Sequence, residues 1–111
     1  MTDFETQSKA IAEKYPNLFS KIGSPWVGIG WLNLIEEMSK EISEQFPDVV
    51  YLQIKEKFGT LRVYCCCHSE ALQNLIGIYE ARSSIICEEC GADGKVVNHN
   101  GWLKTCCETH L

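Results

Sequence analysis

The stretch that decides the fold is Val49-Val50-Tyr51-Leu52-Gln53-Ile54-Lys55-Glu56-Lys57-Phe58-Gly59-Thr60-Leu61-Arg62-Val63-Tyr64-Cys65. Its hydrophobic period is two. Val50, Leu52 and Ile54 alternate with Tyr51, Gln53 and Lys55, and after a turn Leu61, Val63 and Cys65 alternate with Arg62, Tyr64 and Cys66. Alternation of this kind marks half-buried strands. Lys57-Phe58-Gly59-Thr60 supplies the turn, with Gly59 free to adopt a backbone conformation that a side chain resists. The reading is a β-hairpin with one face covered.

Working outward, the period on both sides changes to that of a helix. Upstream, Trp31, Leu34, Ile35, Met38, Ile42 and Phe46 recur at three- and four-residue spacing and form one apolar stripe. Glu36, Glu37, Lys40, Glu41 and Glu44 take the other side, and Pro47-Asp48 ends the helix. Downstream, Ser69 can cap a helix whose stripe is Leu72, Leu75, Ile76 and Tyr79. Near the start, Thr2-Asp3-Phe4-Glu5 has the form of a capping box and predicts a short helix toward Tyr15, stopping before Pro16. Residues 16–30 read as irregular, with Gly23-Ser24-Pro25 and Gly28-Ile29-Gly30 as breakers and Leu18, Phe19 and Trp26 as anchors on the core. The fold class is α+β: helices packed on a β-hairpin, followed by a C-terminal metal module. Residues 1–84 form the body and residues 85–111 a zinc ribbon docked on it.

Seven cysteines in 111 residues is a high count. The number is odd and Met1-Thr2-Asp3-Phe4-Glu5 is polar and acidic, unlike an export signal, which favours metal over disulfides and a cytoplasmic location. Cys87-Glu88-Glu89-Cys90-Gly91 is a knuckle, and Cys107-Glu108-Thr109-His110 repeats its two-residue gap. The intervening chain suffices for a hairpin of Val96-Val97 and Trp102-Leu103-Lys104 around Asn98-His99-Asn100-Gly101. Three Cys and one His fill a tetrahedral zinc ion and leave no open position, so Cys87, Cys90, Cys107 and His110 predict one structural Zn2+. Binding free energies of about 10–16 kcal/mol in zinc-finger peptides exceed what a hairpin this small gains by burial. A thioredoxin-like Cys87/Cys90 pair would open a helix beside a βαβ sheet, and disulfides remain the other alternative.

Cys106 competes with Cys107 as third ligand, and the Cys-x-x-His spacing favours Cys107. His99 reads as a solvated turn residue. In Cys65-Cys66-Cys67-His68, adjacent strand residues point to opposite faces, so one ion cannot take all four unless the strand breaks. The bland reading makes Cys65 a small core residue and puts Cys66 outside. A second metal site or a reactive thiol is the sharper alternative.

The run Gln53-Ile54-Lys55-Glu56-Lys57-Phe58-Gly59-Thr60-Leu61-Arg62-Val63-Tyr64 resembles the signature of small uncharacterised proteins of bacteriophages and prophages. The tail is similar to theirs at Cys87, Cys90, Gly91, Gly101, Trp102, Thr105, Cys107 and His110. Gly30-Trp31 and Pro47 also fit the resemblance, whereas the triple cysteine is peculiar to this chain. The resemblance implies a phage context in a bacterial cell and no particular mechanism.

Charge narrows the function classes. The net charge is −5, whereas a domain that lives on phosphate backbones usually carries a basic excess. No apolar run approaches the ~18 residues that span a bilayer. No His-x-Glu precedes the knuckle as in zinc deaminases, and no His-Glu-x-x-His, phosphate loop or nucleophile elbow occurs, so no enzyme is expected. The leading expectation is a binding protein that docks on another protein and inhibits or redirects a host or immune factor, with Glu36, Glu37, Glu41 and Glu44 as one surface. The alternative is a nucleic-acid-associated protein using Lys55, Lys57, Phe58, Arg62 and Tyr64, where three basic side chains meet one acid, Glu56. The module from Ile85 to Leu111 sets two lysines against four acids and is a poor phosphate binder.

Overall fold

The structure, a computed structural model, describes residues 2–67 and 69–111. Helix α1 (Asp3–Lys14) starts where Thr2 Oγ1 accepts the Glu5 amide at 3.1 Å, and it buries Ser8 and Ile11. A 3₁₀ turn (Ile29–Trp31) leads into α2 (Leu32–Gln45), and β1 (Tyr51–Lys57) pairs antiparallel with β2 (Thr60–Cys65). Helix α3 (Glu70–Ser83) starts at Ser69, whose Oγ accepts the Leu72 amide. The second two-stranded sheet is β3 (Lys95–His99) with β4 (Trp102–Cys106), followed by a 3₁₀ turn (Glu108–His110). The class is α+β, as the two periods in the sequence predict.

The core lies where α2 and α3 cover one face of the hairpin. Trp31, Leu32, Ile35, Met38 and Ile42 meet Tyr51, Leu61 and Val63, and α3 contributes Leu72, Ile76 and Tyr79. Strand β2 would leave the amides of Leu61 and Val63 pointing away from β1. Instead α3 supplies acceptors: Ser83 Oγ takes the Leu61 amide and Glu80 Oε2 the Val63 amide, both at 2.9 Å. The sheet edge is thereby closed by side chains instead of a third strand.

Two expectations need correction. The inward phase of β2 is as read, but that of β1 is not: Tyr51 is buried while Leu52 is 42% exposed. A bulge between Tyr51 and Gln53 inserts one residue, so the alternation slips there and Ile54 returns to the core. Tyr51 can go inside because its hydroxyl meets Ser39 Oγ, 2.9 Å away on the buried face of α2. Trp26, expected as a core anchor, is 76% exposed and stands edge-on against Phe4, while Leu18, Phe19 and Pro25 take the anchoring places.

Candidate metal centre

The ribbon is built by short-range backbone bonds around Cys87. The Gly91 amide donates to Cys87 O, the Cys87 amide to Ala92 O, and the Glu88 amide to Thr105 O of β4. Gly91 has φ +82°, the left-handed turn that reverses the chain after Cys90. In the second knuckle the His110 amide donates to Cys107 O, which curls His110 back beside the Cys107 sulfur.

These turns bring Cys87, Cys90, Cys107 and His110 together, with all four ligand atoms within 4.8 Å of one another. Cys107 Sγ lies 3.2 Å and Cys87 Sγ 3.6 Å from His110 Nδ1, and Cys90 Sγ is 3.7 Å from Cys107 Sγ. A tetrahedron of metal–sulfur bonds has ligand–ligand edges of about 3.8 Å, so the cluster can hold a metal ion. Two of the four donors, Cys87 and Cys107, are shifted toward the thiolate, while Cys90 and His110 are raised. The bond to His110 brings the Cys107 thiol down to about 6, and the same bond raises His110. Burial pushes Cys87 up, but the amides of Cys107, Glu89 and Cys90 outweigh it and the net direction is down.

The competing residues fall elsewhere. Cys106 is buried, and that burial raises its thiol. It is not part of the cluster that Cys107 joins. His99 sits at the end of β3, exposed, beside the Asn100-Gly101 turn. Cys65 faces the core while Cys66 and Cys67 are exposed; His68, the fourth member of that run, lies outside the described residues.

Sequence reasoning missed how the centre is joined to the body. Gly28 and Gly30, read as breakers, are close-approach residues. A Cβ on Gly28 would land on the Glu88 carbonyl, and one on Gly30 would strike Cys87 O and the amides of Cys90 and Gly91. The Gly30 amide donates to Glu88 O at 2.9 Å, and Trp31 Nε1 donates to Ile86 O at 2.9 Å. The signal available was the Gly-x-Gly-Trp spacing itself. On the other side Thr105 Oγ1 donates to Gly59 O at 2.5 Å, and Gly59 packs against the backbone of Leu103 and Lys104. The ribbon therefore touches both the entry to α2 and the tip of the β1–β2 hairpin.

The hairpin residues proposed as a binding surface share its outer face or its tip. Lys55 is paired across the strands with Arg62, Lys57 with Thr60 and Gln53 with Tyr64. Lys55 Nζ lies 5.6 Å from the Tyr64 ring centre and Lys57 Nζ 5.6 Å from that of Phe58. Glu56 turns away from this face, its Oε2 accepting the Gly59 amide at 2.7 Å. Phe58 is 65% exposed at the turn, with φ +54°.

The acidic face of α2 is largely engaged within the chain. Glu36 pairs with Lys14 at 3.6 Å, Glu37 with Arg82 at 2.8 Å, and Glu41 accepts the Tyr79 hydroxyl at 2.6 Å. Among the described residues no helix is long and apolar enough to cross a membrane. No protein-family model, curated protein or solved structure matches the chain.

Proposed function

We propose that this chain is a zinc-stapled accessory protein of phage or prophage origin that acts in the bacterial cytoplasm by docking on another protein, inhibiting a host or immune factor. The phage context rests on the resemblance at residues 53–64 and in the cysteine-bearing tail. Zinc is the ion that suits three thiolates and one imidazole at these separations, and the closed donor set assigns it a structural role without catalysis.

One observation carries the docking reading: Phe58 holds a left-handed backbone, φ +54°, while the residue is 65% exposed. That conformation costs an L-residue roughly 1–2 kcal/mol. The ring gains little burial within the chain to offset it. Strain kept without internal return points to use outside the molecule, and exposed aromatics are the usual anchors of protein interfaces. The metal would act at a distance. It fixes the ribbon, the ribbon holds Gly59 through Thr105 and Leu103–Lys104, and Gly59 sets how Phe58 is presented.

A second reading is favoured by the direct pairing of Lys55 with Arg62 on the outer face. Like charges placed opposite each other destabilise a hairpin unless an anion is shared between them. With Tyr64 and Phe58 beside them, a single-stranded nucleic acid would satisfy that face by charge and stacking.

Affinity capture of the tagged protein from host lysate, with and without nuclease, tests both. A stoichiometric protein that survives nuclease and is lost with Phe58→Asn supports docking. Capture that ignores Phe58→Asn but collapses with nuclease and with Lys55→Glu/Arg62→Glu replaces it by the second reading.

A further inference from the structure

The chain leaves β2 through three consecutive cysteines that meet three different surroundings. Cys65 is buried against the core, where burial first, and then Cys66 and Cys67, push its thiol up to about 11. Cys66 and Cys67 lie beyond the last paired residue of the strand and are exposed. Their sulfurs are 3.3 Å apart. Cys66 is held in place twice by one residue: its amide donates to Val50 O at 3.0 Å, and the Val50 amide donates to its Sγ at 3.3 Å. Cys67 lines a shallow cleft of about 240 Å³ with Phe46, Pro47, Asp48, Val49 and Leu72. A small molecule can therefore reach the pair from the side of Cys67.

We propose that Cys66 and Cys67 form a redox site that exchanges with a low-molecular-weight disulfide and closes to a vicinal disulfide. The assignment of roles follows the hydrogen bonds. The Val50 amide donates to Cys66 Sγ at 3.3 Å and favours the thiolate there. Once Cys66 is the thiolate, the Cys67 thiol, 3.3 Å away, is the donor of their shared bond; Cys66 is lowered and Cys67 raised accordingly. Cys66 is the attacking sulfur and Cys67 the resolving one.

The exchange balances in two steps. The Cys66 thiolate attacks one sulfur of the small disulfide, whose S–S bond breaks. One thiolate leaves, takes up the proton Cys66 released, and a mixed disulfide remains on Cys66. Cys67 then loses its proton and attacks Cys66 Sγ. The second small thiolate departs with that proton, and the Cys66–Cys67 bond is made. Two electrons pass from the cysteine pair to the small disulfide, which ends as two thiols. Closure requires the sulfurs to approach from 3.3 Å to about 2.0 Å. Cys67, outside the β1–β2 ladder, can supply that movement.

The test treats the full-length, metal-loaded protein with oxidised glutathione, followed by acid quench, alkylation and peptide mass mapping. Wild type is expected to lose two hydrogens within the peptide carrying Cys66 and Cys67, with Cys65 alkylated. Cys67→Ser should stop at a glutathione adduct on Cys66, and Cys66→Ser should react about tenfold more slowly. Both positions are exposed, and unchanged metal content verifies that the serine variants are folded. Three outcomes would overturn the assignment: no adduct on Cys66 in Cys67→Ser, a wild-type rate in Cys66→Ser, or a mixed disulfide in wild type that never closes.

Discussion

Phe58 and Asn100 occupy the same position in two equivalent turns. Each opens the two-residue connection of a hairpin, between Lys57 and Thr60 and between His99 and Trp102, and each is followed by a glycine. Their φ angles are +54° and +53°, with +82° at Gly59 and +93° at Gly101, the signature of a type I′ turn. Asn100-Gly101 is the pair this turn prefers, and the Gly101 amide is further bonded to Asn98 Oδ1 at 2.6 Å. Phe58-Gly59 is not, since a bulky aromatic resists the left-handed backbone even though the Gly59 amide has the equivalent bond, to Glu56 Oε2 at 2.7 Å. The molecule contains the relaxed solution to this turn in one hairpin and a strained one in the other.

The first prediction follows from that contrast. Phe58→Asn should stabilise the metal-loaded chain by about 1 kcal/mol, because Asn tolerates the left-handed region that Phe resists. Denaturant unfolding measures it. The same variant should lose the captured partner, so stability and binding move in opposite directions. If Phe58→Asn were destabilising, the ring would be contributing to the fold, and its proposed role as an outward anchor would be untenable.

The β2 alternation was legible because every second residue there, Leu61, Val63 and Cys65, faces one packed surface. The β1 phase was not, since a bulge at Leu52 leaves no mark in a pattern of residues that are all apolar or amphipathic. What decides it is a long-range bond, Tyr51 hydroxyl to Ser39, and Ser39 on a helix reads as polar surface until its partner is known. The four residues that cluster, Cys87, Cys90, Cys107 and His110, could be picked by spacing alone, since both knuckles are local. The seam between ribbon and body could not, because Gly28 and Gly30 act on residues 57 to 61 positions further along the chain.

Gly30→Ala is the second prediction. The added methyl would strike the Cys87 carbonyl and the amides of Cys90 and Gly91, all of them backbone atoms that cannot swing aside. The knuckle must shift or separate from α2. The expected result is a loss of roughly 2–4 kcal/mol in stability, in the range of overpacked or strained sites, with weaker retention of the ion in a chelator competition. Gly77→Ala is the control, since a Cβ there meets nothing within 4 Å and a helix favours it.

The third concerns the ligand assignment. Cys87→Ser should release the ion and unfold the ribbon, whereas Cys106→Ser, at a buried neighbour outside the cluster, should retain it. Metal content after gel filtration distinguishes them. Acid should act like the first substitution. Because His110 depresses Cys107 to about 6 from the ordinary 9, the thiolate's contribution to the metal-free fold is complete above about 9 and fades as pH falls through 6. Protons also compete with the ion for every thiolate, so release should grow on acidification. Release that grew toward alkaline pH instead would contradict a thiolate donor set.

The last prediction isolates the edge of the hairpin. Ser83 is fully buried, and its Oγ accepts the Leu61 amide at 2.9 Å while donating to Glu80 O at 2.5 Å. Ser83→Ala removes one hydroxyl from a helix, a change that favours the helix itself. It nevertheless leaves a buried amide of β2 without an acceptor, which costs about 1–3 kcal/mol. The two effects differ in sign, and the amide should win. Amide hydrogen exchange at Leu61 gives a direct reading: it should accelerate in Ser83→Ala while Val63, still held by Glu80, exchanges as before. If Leu61 stayed protected, another group would have to close that edge, and the Ser83 hydroxyl would not be its cap.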